Sequence, residues 1–287
     1  MNEGDRKQGR VVVVGAGWIG GPLANLLALR GYDVAATTRS GSPRGEPQSS
    51  VVQFLAFDVE RDGAAGLIPL IEGADVVIVC WAPAGRDADR RALYLGGAEA
   101  VAAAIAEVPP SRLIYTSSTS ALPDLDEELD EDCDQWPTSD RGRLQREAEE
   151  VILGGGVDAG VPVAVLRLAG LYGPGRELGR IYRRDPETIL QGSGCAPTNL
   201  VHREDVLQAI LAALELPGTW SGVIHVCADD HRPRREIFAA LARRDGLPEP
   251  VWELPAEPTR GKSVGNRRLH DLLDVTLRYP RHKTGGS

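Results

Sequence analysis

The sequence predicts an α/β fold built on a doubly wound parallel sheet. Short β-branched runs alternate with longer stretches rich in alanine and leucine, and each run is apolar throughout rather than at every second position. Continuous apolar strands separated by helical periodicity are typical of a parallel sheet covered on both faces. Of the 287 residues 42% are hydrophobic, so the chain can bury a sizeable core.

The elements follow one another in a regular order along the first 170 residues. We expect strands at 11–14, 34–38, 51–57, 76–80, 113–118 and 163–168. We expect helices at 22–30, 90–107 and 140–153. After Gly170 the rhythm loosens into a segment rich in glycine and proline. There we expect helices at 204–214 and 234–243, with a strand at 223–227 between them.

Charge and cysteine content exclude several classes of function. The formal net charge is −9, and much of it comes from an acidic run over 124–134, which we expect to be a solvated loop. The arginines are spread along the chain rather than clustered beside aromatic residues, so we expect no nucleic-acid partner. The four cysteines lie far apart, without a CxxC pair, which predicts neither a disulfide framework nor a metal site. The first apolar run is too short for a signal peptide or a membrane span, so we expect a cytoplasmic protein without a membrane partner.

A glycine-rich turn follows the first predicted strand and precedes the first predicted helix. This order places backbone N–H groups and the positive end of a helix against a pyrophosphate. Gly15 permits the turn, Gly17 lets the phosphate approach the backbone, and Gly20 lets the helix and strand pack closely. The alternative is a glycine turn of structural value only. We predict a Rossmann-type dinucleotide site formed by Gly15, Gly17, Trp18, Ile19 and Gly20.

The end of the second strand predicts which dinucleotide binds. An acidic residue at this point commonly binds the ribose hydroxyls of NAD, but here the strand ends in Thr38, Arg39 and Ser40. Arg39 suits a 2′-phosphate through paired, charge-assisted hydrogen bonds, so we expect NADP rather than NAD. The alternative is a surface arginine in an arginine-rich chain. We also expect Asp58 at the adenine edge, and Ala82 and Pro83 beside the cofactor's ribose.

These elements and the glycine turn predict that the chain is organised into four consecutive regions. We expect a flexible N-terminus over 1–10 and an NADP-binding Rossmann domain over 11–170. A smaller substrate-binding part over 171–280 would be interleaved with the last strands of the sheet. We expect the tail over 281–287 to be loose.

Several further segments extend the pattern through most of the chain. They are GAGWIGG at 15–21, Asp58 after the third strand, LIYTSSTSAL at 113–122, the acidic stretch leading to Trp136 and Pro137, LRLAGLYGPGR at 166–176 and NLVHREDV at 199–206. Together they resemble the extended short-chain dehydrogenase/reductase family, which includes nucleotide-sugar epimerases and dehydratases. The chain looks most like atypical members. The resemblance implies a nicotinamide cofactor, a small polar substrate derived from a sugar or nucleotide, and a homodimer packed through the helices at 90–107 and 140–153.

The family's catalytic pair is missing. Its members use a tyrosine as acid and base, a lysine four residues later and a serine or threonine that binds the reacting oxygen. The serine corresponds to Ser118, whereas Arg141 stands at the tyrosine position and Gln145 at the lysine position. No tyrosine occurs between 115 and 172 and no lysine between 7 and 262, so no shift of register restores the pair. Arginine stays protonated and cannot shuttle a proton, while glutamine can bind a ribose hydroxyl but supplies no charge.

Three hypotheses remain open at this stage. The first is an NADP-dependent oxidoreductase or epimerase-like enzyme in which Ser118 and Arg141 hold the reacting oxygen or a carboxylate. The second is a regulatory protein that responds to NADP(H) without turnover, and the third is chemistry in which the cofactor has a structural role. For the enzyme, Tyr172, His202 and Tyr182 are candidate replacement acids, and each also has a structural interpretation.

Overall fold

The computed structural model describes residues 8–43, 50–82, 89–178, 189–253 and 261–282. Its strands are β1 (Gln8–Val14), β2 (Tyr32–Thr38), β3 (Gln53–Ala56), β4 (Val76–Val79), β5 (Arg112–Ser118), β6 (Glu128–Leu129), β7 (Val163–Leu168), β8 (Gly170–Tyr172), β9 (Leu190–Gln191), β10 (Leu200–His202), β11 (Gly222–Val226), β12 (Trp252–Glu253) and β13 (Ser263–Val264). Its α-helices are α1 (Gly20–Leu29), α2 (Val59–Ile71), α3 (Gly97–Glu107), α4 (Asp140–Ala159), α5 (Arg203–Ala213), α6 (Arg234–Asp245) and α7 (Arg267–Asp271). In the part of the chain that is described, no helix combines the length and the apolar character that crossing a membrane requires.

A seven-stranded sheet forms the centre of the fold, in the order β11-β7-β5-β4-β1-β2-β3. Strand β1 pairs in parallel with both β2 and β4, and the pairs β2–β3 and β4–β5 are parallel as well. The predicted doubly wound α/β fold is therefore confirmed. The chain builds outward from β1 in one direction and from β4 in the other, which makes the point between them the topological switch. In open sheets of this kind, ligands bind outside the carboxyl ends of the strands at that point.

The chain divides into two compact units, each made of separate segments. The first comprises Met1–Ser117, Ser139–Leu166 and Ala213–Val223, and the second comprises Ser118–Thr138, Arg167–Ala212 and Ile224–Ser287. The sequence predicted a domain boundary at residue 170. In the structure the chain passes from the first unit to the second after Leu166, close to that boundary. The separate assignments of 118–138 and 213–223 follow from contacts that are distant in sequence, which sequence periodicity does not reveal.

The core of the first unit lies between one face of the sheet and three helices. Every second residue of four strands points to this face, as in the pairs Val12 and Val14, Val77 and Val79, Leu113 and Tyr115, and Val163 and Val165. Helices α2, α3 and α4 cover these side chains with residues such as Leu67, Val101 and Ile152. The intervening strand residues, for example Val13 and Ile78, are also fully buried. Burial on both faces explains why the strands are apolar throughout.

Several elements of the first unit differ from the sequence-based expectation: α2 was not expected, and β1 and α4 are longer than expected. Residues 8–10 are not a flexible terminus but part of β1, because Arg10 donates its N–H to Asp75 Oδ2 (2.6 Å) and accepts the N–H of Asp75 (2.9 Å). Helix α4 continues to Ala159 through three glycines, beyond its expected end at 153. A Cβ at Gly155 would lie 2.6 Å from Ala102 Cβ, and one at Gly156 only 2.2 Å from Val163 Cγ2. Glycine is therefore required there by close packing.

The acidic run belongs to the second unit, and all its carboxylate residues except Glu131 are exposed, as expected of a solvated segment. Within it, β6 pairs in parallel with β13, and Lys262 Nζ lies 2.9 Å from both Asp124 Oδ1 and the carbonyl oxygen of Leu122. Arg268 pairs with Asp132. The sequence-based expectation did not include these contacts with a segment far along the chain, which hold the run in place while most of its side chains stay solvated. The expected loose tail is wrong at His282, whose N–H donates to Asp230 Oδ2 (3.0 Å), while 283–287 lie outside the described residues.

A buried histidine is held between fixed partners in the same unit. His225 Nδ1 lies 2.9 Å from the carbonyl oxygen of Gly265, which can only accept, so Nδ1 carries the proton. Its Nε2 is then the acceptor that faces Arg167 Nη1 at 3.4 Å. The His225 N–H donates to Glu131 Oε1 at 3.1 Å. Burial, followed by the charge of Arg167, lowers the pKa of His225 from 6.5 to about 3.

The approach of α1 to β1 depends on two glycines of the first unit. Gly15 has φ +98°, a conformation that strongly favours glycine. A Cβ at Gly20 would lie 2.3 Å from the carbonyl oxygen of Gly15 and 3.1 Å from Val13 Cγ1. A Cβ at Gly17 would meet nothing within 4 Å. Gly20 is therefore needed for close packing, whereas Gly17 borders open space.

We expect Gly20→Ala to lower the free energy of unfolding by about 1 to 3 kcal/mol, because the added methyl group meets backbone that cannot rotate away. Gly17→Ala is the matched control and should stay within about 0.5 kcal/mol of the wild type. Urea denaturation of the three proteins measures the difference. Equal stabilities for the two variants would contradict the packing argument.

We expect His225 to make the protein sensitive to acid. The unfolded chain binds a proton at His225 below pH 6.5 and the folded chain does not, so stability is lost as the pH falls below that value. Between pH 7 and pH 5 the loss from this group should be about 2 kcal/mol, and His225→Gln should remove it. His270→Gln, at a partly exposed histidine, serves as the control. Parallel acid sensitivity in wild type and His225→Gln would refute this assignment.

Candidate functional site

The glycine turn is fixed to the end of β2 by hydrogen bonds. The N–H of Gly15 donates to Thr37 Oγ1 (3.0 Å), and the N–H of Ala16 donates to the carbonyl oxygen of Thr37 (2.7 Å). Trp18 is half-buried and Ile19, the residue before α1, is buried. No side chain caps α1, and no acidic residue stands in its first turn. The positive end of the helix dipole therefore points out of the turn without a neutralising carboxylate.

The residues predicted beside the adenosine half lie at the ends of β2 and β3. Arg39 is exposed and directly follows β2, and within the described residues it pairs with no carboxylate. Asp58 caps α2 by accepting the N–H of Glu60 at 3.2 Å, while its own N–H donates to Asp62 Oδ2 at 2.8 Å. The structure thus gives Asp58 a capping role, and its contact with adenine stays a prediction.

The end of β4 lies against the glycine turn. A Cβ at Gly15 would lie 3.0 Å from the backbone nitrogen of Trp81, so the two loops are in close contact at the switch point. The indole ring of Trp81 covers Gly97 at the start of α3, where a Cβ would lie 2.7 Å from Trp81 Cζ2. Ala82 is exposed next to it, whereas Pro83 lies outside the described residues.

A buried polar network joins β5 to α4. Ser117 Oγ lies 2.5 Å from Glu149 Oε1 and 3.3 Å from Gln145 Oε1. Gln145 and Glu149 are one helical turn apart, so they project to the same side of α4, and only 3% and 1% of their surfaces are exposed. Ser117 shares a strand face with Tyr115, two residues earlier. Gln145, predicted to contact the cofactor, thus has its carbonyl oxygen engaged by the protein.

Tyr94 is the fourth member of this network. A π-helical turn, Ala92–Gly96, carries it against α4, and its hydroxyl is hydrogen-bonded to the side chain of Gln145. Burial raises the pKa of Tyr94, while the charges of Arg141 and Arg90 act in the opposite direction. Both guanidinium groups belong to exposed residues. Two permanent positive charges therefore act on a phenol that is itself buried.

Sequence reasoning missed three of these residues. Ser117 could have been found from the period-two alternation of β5, because it points to the same face as Tyr115. Glu149 could have been found from its spacing of four from Gln145. Tyr94 gives no signal of its own, since an apolar helical stretch surrounds it and the π-helical turn that orients it has no local sequence pattern.

Two predicted catalytic residues belong to the second unit. Ser118 Oγ accepts the N–H of Ser120 (3.2 Å) and so caps the short 3₁₀ turn Thr119–Ala121. Tyr172 is buried, and its hydroxyl has no hydrogen-bond partner among the described residues. Its ring lies edge-on to His202 at 5.0 Å between centroids. Burial raises the pKa of Tyr172, which keeps its phenol protonated.

The remaining predicted site residues are His202, Arg141 and Tyr182, and they lie in different parts of the chain. His202, the last residue of β10, accepts the N–H of Glu204 at Nδ1 (3.2 Å), which is a structural role at the start of α5. Arg141 lies in the first turn of α4, in the first unit together with Gln145 and the glycine turn. Tyr182 lies outside the described residues. The structure therefore brings Arg141 and Gln145 together with Tyr94, a phenol that the sequence did not single out.

Comparison with known proteins identifies a family for this chain. The model of the NAD dependent epimerase/dehydratase family matches residues 11–226. The Escherichia coli (strain K12) protein YeeZ is 31% identical over 274 residues, which cover 94% of this chain and 96% of YeeZ.

Solved structures show the same fold over nearly the whole chain. A functionally unknown conserved protein from Silicibacter pomeroyi DSS is 26% identical, with a TM-score of 0.72 and coverage of 97% of this chain and 96% of that one. MoeE5, solved in complex with UDP-glucuronic acid and NAD, is 22% identical, with a TM-score of 0.77 and coverage of 94% of each chain. At that identity the likeness to MoeE5 shows the fold alone.

Proposed function

The chain belongs to the NAD dependent epimerase/dehydratase family, and we propose on that basis that it binds NADP and acts as an oxidoreductase or epimerase-like enzyme. Its substrate would be a small polar molecule derived from a sugar or a nucleotide. We also propose a homodimer packed through α3 and α4. The tyrosine and lysine that its relatives in the extended short-chain dehydrogenase/reductase group use are absent here, so the proposed chemistry depends on other residues.

The observation that carries the proposal is the fit of the glycine turn to a pyrophosphate. Gly17 is exposed and the space that a Cβ would enter is open, while α1 begins behind it without a capping side chain or an acid. Backbone N–H groups at such a helix end bind phosphate oxygens. We infer that Gly15, Gly17, Trp18, Ile19 and Gly20 hold the pyrophosphate, and that Ala82 and Pro83 border the ribose beyond it.

The choice of NADP rests on the exposed guanidinium of Arg39. An exposed arginine at the end of β2 can make two parallel charge-assisted bonds to a 2′-phosphate, and no carboxylate of the described residues competes for it. A carboxylate at this position would bind the free ribose hydroxyls instead. Asp58 stands after β3, where we infer contact with the adenine edge.

The catalytic part of the proposal assigns roles to side chains of this chain. A bound nicotinamide would supply or accept a hydride at a substrate carbon. Ser118 would donate a hydrogen bond to the reacting oxygen, and Arg141 would hold a substrate carboxylate or stabilise negative charge on that oxygen. Tyr172 remains a candidate acid of the second unit. Gln145 is proposed to face the cofactor's ribose. Its amide has two N–H donors, so one remains for a ribose hydroxyl when the other is bonded to Tyr94.

A second candidate function is a binding protein that responds to NADP(H) without turnover. The observation that favours it is the exchange of the catalytic pair for Arg141 and Gln145, neither of which transfers a proton. The engagement of Gln145 by Ser117 and Tyr94 also fits a site kept for structure. The two functions differ in whether reduced cofactor is consumed.

We expect the protein to bind NADPH about 30-fold more tightly than NADH, because the 2′-phosphate bonds of Arg39 contribute about 2 kcal/mol. Calorimetric titration of both nucleotides measures this preference, which Arg39→Ala should abolish. Gly17→Val is the binding-negative control, since its branched side chain fills the space of the pyrophosphate while the fold survives. Equal affinities in the wild type would contradict the assignment of Arg39, and binding by folded Gly17→Val would contradict the phosphate site.

We expect wild type to oxidise NADPH with one or more members of a panel of aldehydes, ketones and nucleotide sugars. Ser118→Ala and Arg141→Met should each lower that rate by about 10- to 100-fold, with NADPH affinity almost unchanged. Consumption of NADPH by none of the substrates would favour the binding protein. Activity that both variants leave untouched would show that the active site is elsewhere.

A further inference from the structure

We propose that the hydroxyl of Tyr94 is the group that exchanges a proton with the substrate oxygen, with Arg141 and Arg90 stabilising its anion. This inference rests on the proposed function, because it names the acid and base of the same reaction. It requires a phenol at the carboxyl end of the sheet, a fixed orientation of the phenol oxygen, and positive charge close to that oxygen. All the residues concerned belong to the first unit.

The position of Tyr94 satisfies the first requirement. Its partner Gln145 is hydrogen-bonded to Ser117, the penultimate residue of β5, so the network lies at the carboxyl end of the sheet. Strand β5 is the neighbour of β4, which adjoins the switch point at β1. A dinucleotide whose pyrophosphate lies on the glycine turn, and whose adenosine half points to Arg39, would extend its other half toward β4 and β5.

The hydrogen bonds of Gln145 satisfy the second requirement. Ser117 Oγ donates only one proton, and its shorter contact is with Glu149 Oε1 at 2.5 Å, which fixes the hydroxyl between α4 and β5. The carbonyl oxygen of Gln145 faces that hydroxyl, so its amide nitrogen faces Tyr94 and donates to the phenol oxygen. A phenol that accepts this bond keeps its own O–H for another acceptor. The network thus holds the oxygen of Tyr94 and leaves its proton for transfer.

Arg141 and Arg90 satisfy the third requirement. Both are exposed, neither is paired with a carboxylate of the described residues, and both act on Tyr94 against the effect of its burial. A guanidinium cannot move a proton, but it can stabilise the phenolate that remains when Tyr94 gives one up. The i, i+4 spacing of Arg141 and Gln145 places a charge and a hydrogen-bond donor one turn apart on α4, facing one phenol.

The step balances for the reduction of a carbonyl. The substrate carbon gains a hydride from the reduced nicotinamide, the π-bond electrons move to the substrate oxygen, and that oxygen takes the proton of Tyr94. The phenol O–H bond breaks, and the resulting phenolate regains a proton from water. Oxidation of an alcohol, as in the first half of an epimerisation, runs through the same atoms in reverse.

The first test measures the charge coupling without cofactor or turnover. A spectrophotometric tyrosinate titration of wild type minus Tyr94→Phe isolates the transition of Tyr94. Arg141→Met, compared in the same way with the double variant Arg141→Met/Tyr94→Phe, should raise its midpoint pH by about 1. Arg143→Met, which removes an equal charge two residues away on the same helix, should leave it in place. An unchanged midpoint in Arg141→Met would overturn the proposal.

The second test separates this inference from the proposed function. With a substrate that wild type reduces, Tyr94→Phe should lower the turnover rate by about 100-fold or more while NADPH affinity stays near the wild-type value. Thermal stability should fall somewhat, because the buried amide of Gln145 loses its partner, and activity is compared at a temperature where both proteins are folded. Tyr32→Phe, at a half-buried tyrosine of β2, should keep the wild-type rate. Full activity in Tyr94→Phe would overturn the role of Tyr94 and leave the proposed oxidoreductase intact. Absence of NADPH binding in wild type would instead reject the proposed function, and the role of Tyr94 with it.

Discussion

The close contact between α1 and the glycine turn is the constraint on which the first unit depends. Because Gly20 has no side chain, the first turn of α1 lies directly against the carbonyl oxygen of Gly15, and β1 and α1 meet within a single turn of chain. Thr37 holds the other side of the turn through two hydrogen bonds. The helix end is therefore fixed relative to the sheet, while Gly17 stays open. A phosphate site on this turn would need no rearrangement of the backbone to form.

The sequence predicted those features that depend on neighbours along the chain. Apolar runs predicted the strands, and the order of strand, glycine turn and helix is found at β1 and α1. That Arg141 and Gln145 stand where related proteins have a tyrosine and a lysine stays a prediction from the resemblance. Features that depend on distant pairing were missed. The ion pairs that Asp124 and Asp132 of the acidic run form were not foreseen, because Lys262 and Arg268 come more than 130 residues later.

The same limit explains why the buried network was missed. Ser117 and Glu149 are separated by 32 residues, and Tyr94 approaches Gln145 from a helix that precedes β5. A lone tyrosine in an apolar helix normally packs, and only its bond to Gln145 distinguishes it. Buried polar side chains need hydrogen-bond partners. A buried glutamine and a buried glutamate on one helix face therefore indicate that another element supplies a polar group to them. Sequence alone does not say which strand or helix provides it.

Helix α4 places three polar side chains on one stripe, and their environments change along it. Arg141, Gln145 and Glu149 are spaced by four residues, and the first is exposed while the second and third are buried. A permanent charge therefore stands where water can solvate it, and the uncharged amide takes the position where burial of a cation would cost most. At 145 the neutral glutamine is hydrogen-bonded to Ser117 and Tyr94. The stripe therefore carries its positive charge at the exposed residue 141 and presents a neutral hydrogen-bonding group to Ser117 and Tyr94 at the buried residue 145.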